Sequence, residues 1–157
     1  MIPNIGISEK QLTDIASVLS SILANEMVLY IKIRKAHWNV AGESFMEFHK
    51  FFEMQYKELE ESIDQAAERI GKLGHKTIGT MHEFLAHSVI KESSGQYHET
   101  KFLLQELLSD YEMLIIDLRE KISTCSSKYQ DHGTVDFLTN LIQQHETTAW
   151  VLRRYLA

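Results

Sequence analysis

An all-α four-helix bundle is the fold this sequence predicts, with a long central crossover that carries one short extra helix. Three observations predict it. One proline and seven glycines among 157 residues leave few breaks for long helices. Four segments repeat apolar side chains at three- and four-residue spacing, the period of a helix buried along one stripe. Ser or Thr followed three positions later by Gln or Glu opens several of them, the signature of a capping box.

The first helix is expected over about 8 to 38. Ser8 and Gln11 would form its capping box, and Ile15, Leu19, Ile22, Leu29 and Ile33 its buried stripe. The second, about 44 to 73, opens at Ser44 with Glu47 and carries Phe45, Phe48, Phe52, Leu59, Ile63 and Ile70. A short helix near 80 to 89 follows, with Thr80 and Glu83 as its box. The fourth, about 96 to 124, is introduced by Ser93 and Gln96 and repeats Leu104, Leu107, Tyr111, Leu114, Leu118 and Ile122. The last, about 134 to 156, has Thr134 as cap, Asp136 in its first turn, and Phe137, Leu141, Ile142, Ala149 and Leu152 inside. Gly42, Gly74 and Gly133 suit the reversals between helices. Four long helices with one long crossover form a ferritin-like arrangement of the bundle.

Length and composition bound the function. The chain fits a single domain, residues 1–157, with a sizeable core. Apolar residues make up 44% and charged ones 24%, as in ordinary globular proteins. No apolar run approaches the length expected of a bilayer span, and the start MIPNIGISEK lacks the pattern of a secretory signal. Cys125 stands alone, so no intrachain disulfide forms, and a reducing, cytoplasmic setting is expected. The net charge of −6, with only Lys10 among the first thirty residues, argues against a duplex-binding surface. Eight histidines are the unusual feature, and they form no tract.

One helix face concentrates the chemistry. At about 100° per residue, His49, Glu53, Glu60, Asp64 and Glu68 fall within an arc of roughly 100° on the second helix, beside its apolar stripe. The ordinary reading of an acidic stripe is a solvated face. Two features count against it: Lys57 is the main basic partner on the arc, and a histidine begins it. A second histidine, His37, stands twelve positions before His49, at the end of the first helix. Taken alone, His37 reads as a core or C-terminal residue and Trp38 as packing.

Helix length adds a constraint. His49 and Asp64 are fifteen residues apart, about 22 Å along a continuous helix. No single ion touches both within one chain. If the stripe binds metal, the histidine end of one helix must meet the Asp-Glu end of a second copy running antiparallel. A two-fold axis does this and creates two equivalent sites per dimer.

The stretch KAHWNVAGESFMEFHKFFEMQYKELEESIDQAAERIGKLG resembles the Dps family, the twelve-subunit mini-ferritins that protect starved bacterial cells. It follows the pattern K-x-H-W-x-V-x-G-x-x-F-x-x-x-H and then D-x-x-A-E-R-I-x-x-L-G almost position for position. EFLAHSVI and HGTVDFLTNLIQQHETTAWVLRRYL extend the similarity over almost the whole chain. The resemblance implies that His37 and His49 come from one subunit, and Asp64 and Glu68 from its two-fold mate. Glu53 would help to bind a second metal. Trp38 would lie close to the site and take part in electron transfer, and Asp131 and Asp136 would line three-fold pores through which iron passes. Family members oxidise Fe²⁺, preferentially with hydrogen peroxide, and store the ferric product in a hollow shell. Mixed imidazole and carboxylate ligands accept Fe²⁺, and added carboxylates stabilise Fe³⁺. Zinc fits the same ligands but has no redox step.

Rival readings are weaker. HEFLAH at 82–87 places its histidines five apart, where a zinc protease needs four, so His82 and His87 read as surface or packing residues. Glu-x-x-His pairs are absent, which argues against an ordinary intrachain di-iron centre. A nucleoid-compacting protein, the alternative within the resembled family, usually needs a flexible basic arm that this sequence lacks. A purely structural bundle would leave the stripe and both histidines unexplained.

Overall fold

The computed structural model describes residues 3–95, 97 and 99–157. Among these residues the chain forms α1 (Glu9–Asn39), α2 (Phe45–Lys72), α3 (Met81–His87), α4 (Thr100–Thr124) and α5 (His132–Leu156). A π-helical turn, Cys125–Tyr129, prolongs α4, and no strand occurs among the described residues. α1 packs along α2 and α4 along α5, while α3 lies against α1 inside the crossover. This is the expected ferritin-like bundle with a short helix in the crossover.

Two capping boxes form as the sequence predicts. Ser8 Oγ accepts from the Gln11 amide at 3.4 Å while Gln11 Oε1 accepts from the Ser8 amide at 3.1 Å. Thr80 and Glu83 reciprocate in the same way at 3.2 and 2.9 Å. Three other expectations need correction. Ser44 stands before α2 but makes no side-chain cap, because its backbone turns into the left-handed region at φ 62°. α4 begins at Thr100 with Glu99 before it, so Ser93 does not stand at its N-cap, and Gln96 lies outside the described residues. α5 begins at His132 and is capped by Asp131, whose Oδ1 accepts from the Thr134 amide at 3.2 Å. Thr134 is itself buried beneath that cap.

Gly133 likewise sits inside α5 rather than in a reversal. A Cβ there would come within 2.8 Å of the Arg69 guanidinium, so the position admits Arg69 from α2. The reversal itself falls on Gln130, left-handed at φ 54°.

The apolar interior has two parts. One gathers Leu12, Ile15, Leu19, Ile70, Leu118 and Leu138 toward the α3 end. The other gathers Leu29, Ile33, Phe52, Leu107, Leu114 and Leu152 toward the α1–α2 turn. Each such fully buried side chain contributes about 1.5–3 kcal/mol relative to exposure. α1 also corrects one expectation. It contains an 18-residue window of mean hydropathy 1.4, long and apolar enough by composition to cross a bilayer. In the fold 56% of that window is buried, so its hydropathy reflects a core helix shared by both clusters.

Candidate metal centre

The α1–α2 turn carries the two histidines. Gly42, at φ 90°, and Ser44 reverse the chain within a few residues, which brings the last turn of α1 alongside the first turns of α2. There the histidines clasp one another. His37 Nδ1 lies 2.8 Å from the His49 carbonyl oxygen, and His49 Nδ1 lies 3.0 Å from that of His37. Their rings stack with centroids 3.8 Å apart and planes at 22°.

This reciprocal clasp settles the tautomer. A carbonyl oxygen only accepts, so each neutral ring must carry its proton on Nδ1. Each Nε2 is then left with a lone pair, the arrangement in which imidazole ligates a metal with its other nitrogen held by the protein. The His37 carbonyl belongs to the last turn of α1, where helices leave carbonyls without an internal partner, and the His49 ring supplies one.

Neighbouring side chains restrict the rings further. Tyr56 meets the edge of His37 at 5.3 Å, and Phe45 tilts over His49 at 5.1 Å. Phe45, expected in the core, is 39% exposed and serves this site instead. Arg34 sits 4.3 Å from the Tyr56 ring and 5.1 Å from that of Trp38, which is 64% exposed. Sequence reasoning did not single out Tyr56, Arg34 or the new role of Phe45. The signal was helical spacing: Tyr56 stands seven residues beyond His49, and Arg34 three before His37.

Glu53 follows one turn after His49 and is half-buried. Lys57 Nζ lies 2.5 Å from its carboxylate. That hydrogen bond, and then the lysine charge, hold the Glu53 carboxyl below its ordinary range, with His37 and His49 acting in the same direction. Asp64 is exposed on α2, and Glu68 is exposed in a 2.9 Å pair with Lys72. The fold thus brings His37, His49 and Glu53 to one end and leaves Asp64 and Glu68 toward the other. Among the described residues, no three His, Cys, Asp or Glu side chains converge to hold a metal within one chain.

The remaining sequence candidates lie elsewhere. Asp136 is exposed near the start of α5. Asp131, expected to face a pore, is 4% exposed. Arg69 holds both of its oxygens, at 2.8 and 3.1 Å, and Thr134 donates to the same carboxylate through its amide and its hydroxyl, at 3.2 and 2.5 Å. Burial opposes ionisation of Asp131, but the Thr134 hydrogen bonds and the Arg69 charge outweigh it and keep the carboxyl below its ordinary range. His82 and His87 are exposed on α3, as expected of surface residues.

Comparison with known proteins agrees with this fold. Residues 16–157 match the ferritin-like domain family. A DNA protection during starvation protein of Bacillus anthracis is 34% identical over 143 residues, 90% of this chain and 96% of that one. An uncharacterized low temperature-induced protein of a Nostoc strain is 37% identical, covering 98% and 86% of the two chains. The crystal structure of a Vibrio cholerae Dps protein, described as a member of a broad superfamily of ferritin-like diiron-carboxylate proteins, superposes with a TM-score of 0.92 at 29% identity. It covers 99% of this chain and 97% of that one. The general function that goes with this membership is that of an iron-storing mini-ferritin. The chain belongs to the ferritin-like domain family and, within it, to the Dps proteins.

Proposed function

We propose that this protein oxidises Fe²⁺ at centres shared by two copies of the chain and stores the ferric product inside a closed homo-oligomeric shell. The shell would be of the twelve-subunit kind that the resemblance implies. One observation carries the reading. The clasp leaves both Nε2 lone pairs of His37 and His49 free to ligate, while Asp64 and Glu68 stand toward the other end of the same helix. A second α2 running antiparallel across a two-fold axis would bring those carboxylates to the histidines. Two imidazoles and two carboxylates suit Fe²⁺, and the carboxylates favour the oxidised product.

Glu53 is positioned to supply a further carboxylate for a second iron once Lys57 yields it. Hydrogen peroxide is the proposed oxidant: two Fe²⁺ each lose one electron, and one peroxide takes up both electrons and two protons to give two waters. Trp38, exposed beside His37, is the proposed electron donor when a centre holds a single iron. Consumption of peroxide together with Fe²⁺ would protect a cytoplasmic compartment from oxidative damage.

Complementation tests the shared centre. One protein carries His37→Ala with His49→Ala, and another carries Asp64→Ala with Glu68→Ala. Each should assemble and oxidise iron poorly. Refolding them together makes about half the dimers mixed by random association, and each mixed dimer contains one complete centre and one empty one. Roughly a quarter of all centres should then be whole, with a matching recovery of peroxide-dependent oxidation. Confirmed mixing without recovery would show that the ligands do not come from two chains.

A further inference from the structure

Two acidic stripes repel when they are brought face to face, so a dimer joined along α2 needs cations at its interface. Lys57 already holds Glu53 within its own chain. Arg34 is a second cation beside the stripe. Its guanidinium lies 4.3 Å from the centre of the Tyr56 ring, 5.1 Å from that of Trp38 and 5.6 Å from that of Tyr30. Among the described residues no carboxylate pairs with it. Three rings thus hold the planar fork in place and leave its N–H groups ready to donate.

Glu60 is the stripe's spare acid. It stands between Glu53 and Asp64, and neither the histidine end nor the Asp64–Glu68 end uses it. It is exposed, and no hydrogen bond or ion pair holds it among the described residues. With Met27, Tyr30, Ile63 and Asp64 it lines an open groove between α1 and α2. Within one chain Glu60 is a full turn beyond Tyr56, about 6 Å along the axis from the ring that carries Arg34.

A two-fold axis closes that gap. Antiparallel α2 helices that set His49 against Asp64 and Glu68 of the partner subunit cross at about position 57–58. Tyr56 is then level with about position 59 of the other copy, beside Glu60 of the partner subunit. We propose, resting on the two-chain reading of the iron centre, that Arg34 pairs with Glu60 of the partner subunit. Arg34 is thereby a positioning residue: it fixes the register in which the partner's carboxylates reach His37 and His49. Symmetry makes the contact twice, once on each side of the axis. A slip of one turn would carry the carboxylates about 5.4 Å from the histidines and would break both pairs. A guanidinium already held by rings loses little freedom on pairing, and its fork matches a carboxylate.

Charge reversal tests the pair without reference to iron. Arg34→Glu sets two acids at each contact, and Glu60→Arg sets two guanidinium groups there. Each variant alone should assemble poorly. A dimer of one chain of each kind regains opposite charges at both contacts, so mixed dimers should outnumber like ones about tenfold or more. Every particle refolded from the mixture should then hold the two chains in nearly equal number, read by native mass spectrometry with one chain isotope-labelled. A pair made within one chain gains nothing from mixing, so particles of random composition would overturn the proposal. Should the reversed chains fold poorly, a crystal structure of the wild type decides. Arg34 within hydrogen-bond distance of Glu60 across the axis supports the pair, and Arg34 turned elsewhere overturns it. Positioning has its own readout. Arg34→Gln should raise the KM for Fe²⁺ several-fold in intact particles, and Arg34→Lys should recover part of the loss, whereas an unchanged KM would overturn the positioning role. Wild type that oxidises no Fe²⁺ would remove the shared centre instead, and particle composition would still decide the pair.

Discussion

Asp131 shows how a residue's partners within the chain can lie far from it in sequence. The resemblance implies a pore position for it, and within the chain Arg69 from α2 closes over it and Thr134 completes the cap of α5. Nothing local reveals this, because Arg69 and Asp131 are 62 residues apart. The cap and ion pair together make Asp131→Ala cost roughly 2 kcal/mol, a typical N-cap loss increased by the stranded guanidinium. For a chain of this size that lowers Tm by roughly 4–8 °C, measurable by circular dichroism. The pH dependence follows from the depressed carboxyl. A group whose folded value lies below its unfolded value stabilises fully above the unfolded value, about 3.9, and that contribution is lost as pH falls through the folded value. Wild type should therefore lose more stability than Asp131→Asn between about pH 5 and about pH 2. Urea midpoints that fall in parallel over that range would show that Asp131 titrates normally.

At the scale of elements, the helices and their stripes were legible because periodicity and capping act over a few residues. Ser8–Gln11 and Thr80–Glu83 close as boxes, and helix ends fall within a few residues of expectation except at α4. The acidic stripe and the 22 Å argument needed only helix geometry, so the separation of the histidine and carboxylate ends could be read before any coordinates. What escaped was tertiary. Ser44 has the right neighbours for a box, but the tight α1–α2 reversal demands a left-handed residue there. Glu26 and His145, 119 positions apart, each look like ordinary helix residues until the bundle pairs them. The Ser44 backbone gives a direct test. Left-handed geometry costs a residue with a Cβ about 1–2 kcal/mol, partly offset by the entropy glycine loses on folding. Ser44→Gly should stabilise by about 0.5 kcal/mol and Ser44→Val should destabilise by about 1 kcal/mol or more, read from denaturant midpoints. Equal midpoints for the two would mean that the turn relaxes away from φ 62°.

The whole molecule is governed by its charge. A net charge of −6 opposes the counterion release on which duplex binding depends, so gel shifts near neutral pH and physiological salt should show little retardation. A clear, salt-sensitive shift would restore the nucleoid-binding alternative. The same acidity suits a particle that gathers cations, and it raises the question of where iron would cross the proposed shell. Two acids were expected at the pores, and within the chain Asp131 also holds Arg69 and Thr134, so its replacement would disturb the bundle as well. Asp136, exposed one turn into α5, gives the cleaner test, and symmetry would repeat it around each three-fold axis. A ring of carboxylates concentrates divalent cations and speeds their arrival, and salt screens that attraction over roughly 10 Å at 0.1 M. Asp136→Asn should therefore slow initial Fe²⁺ uptake several-fold at low ionic strength, and the two proteins should converge as salt rises. The substitution leaves His37, His49, Asp64 and Glu68 in place, so saturating Fe²⁺ should restore the full oxidation rate. Uptake equal to wild type at low salt would remove Asp136 from the path, while a deficit that persists at saturating iron would place its effect at the oxidation centre.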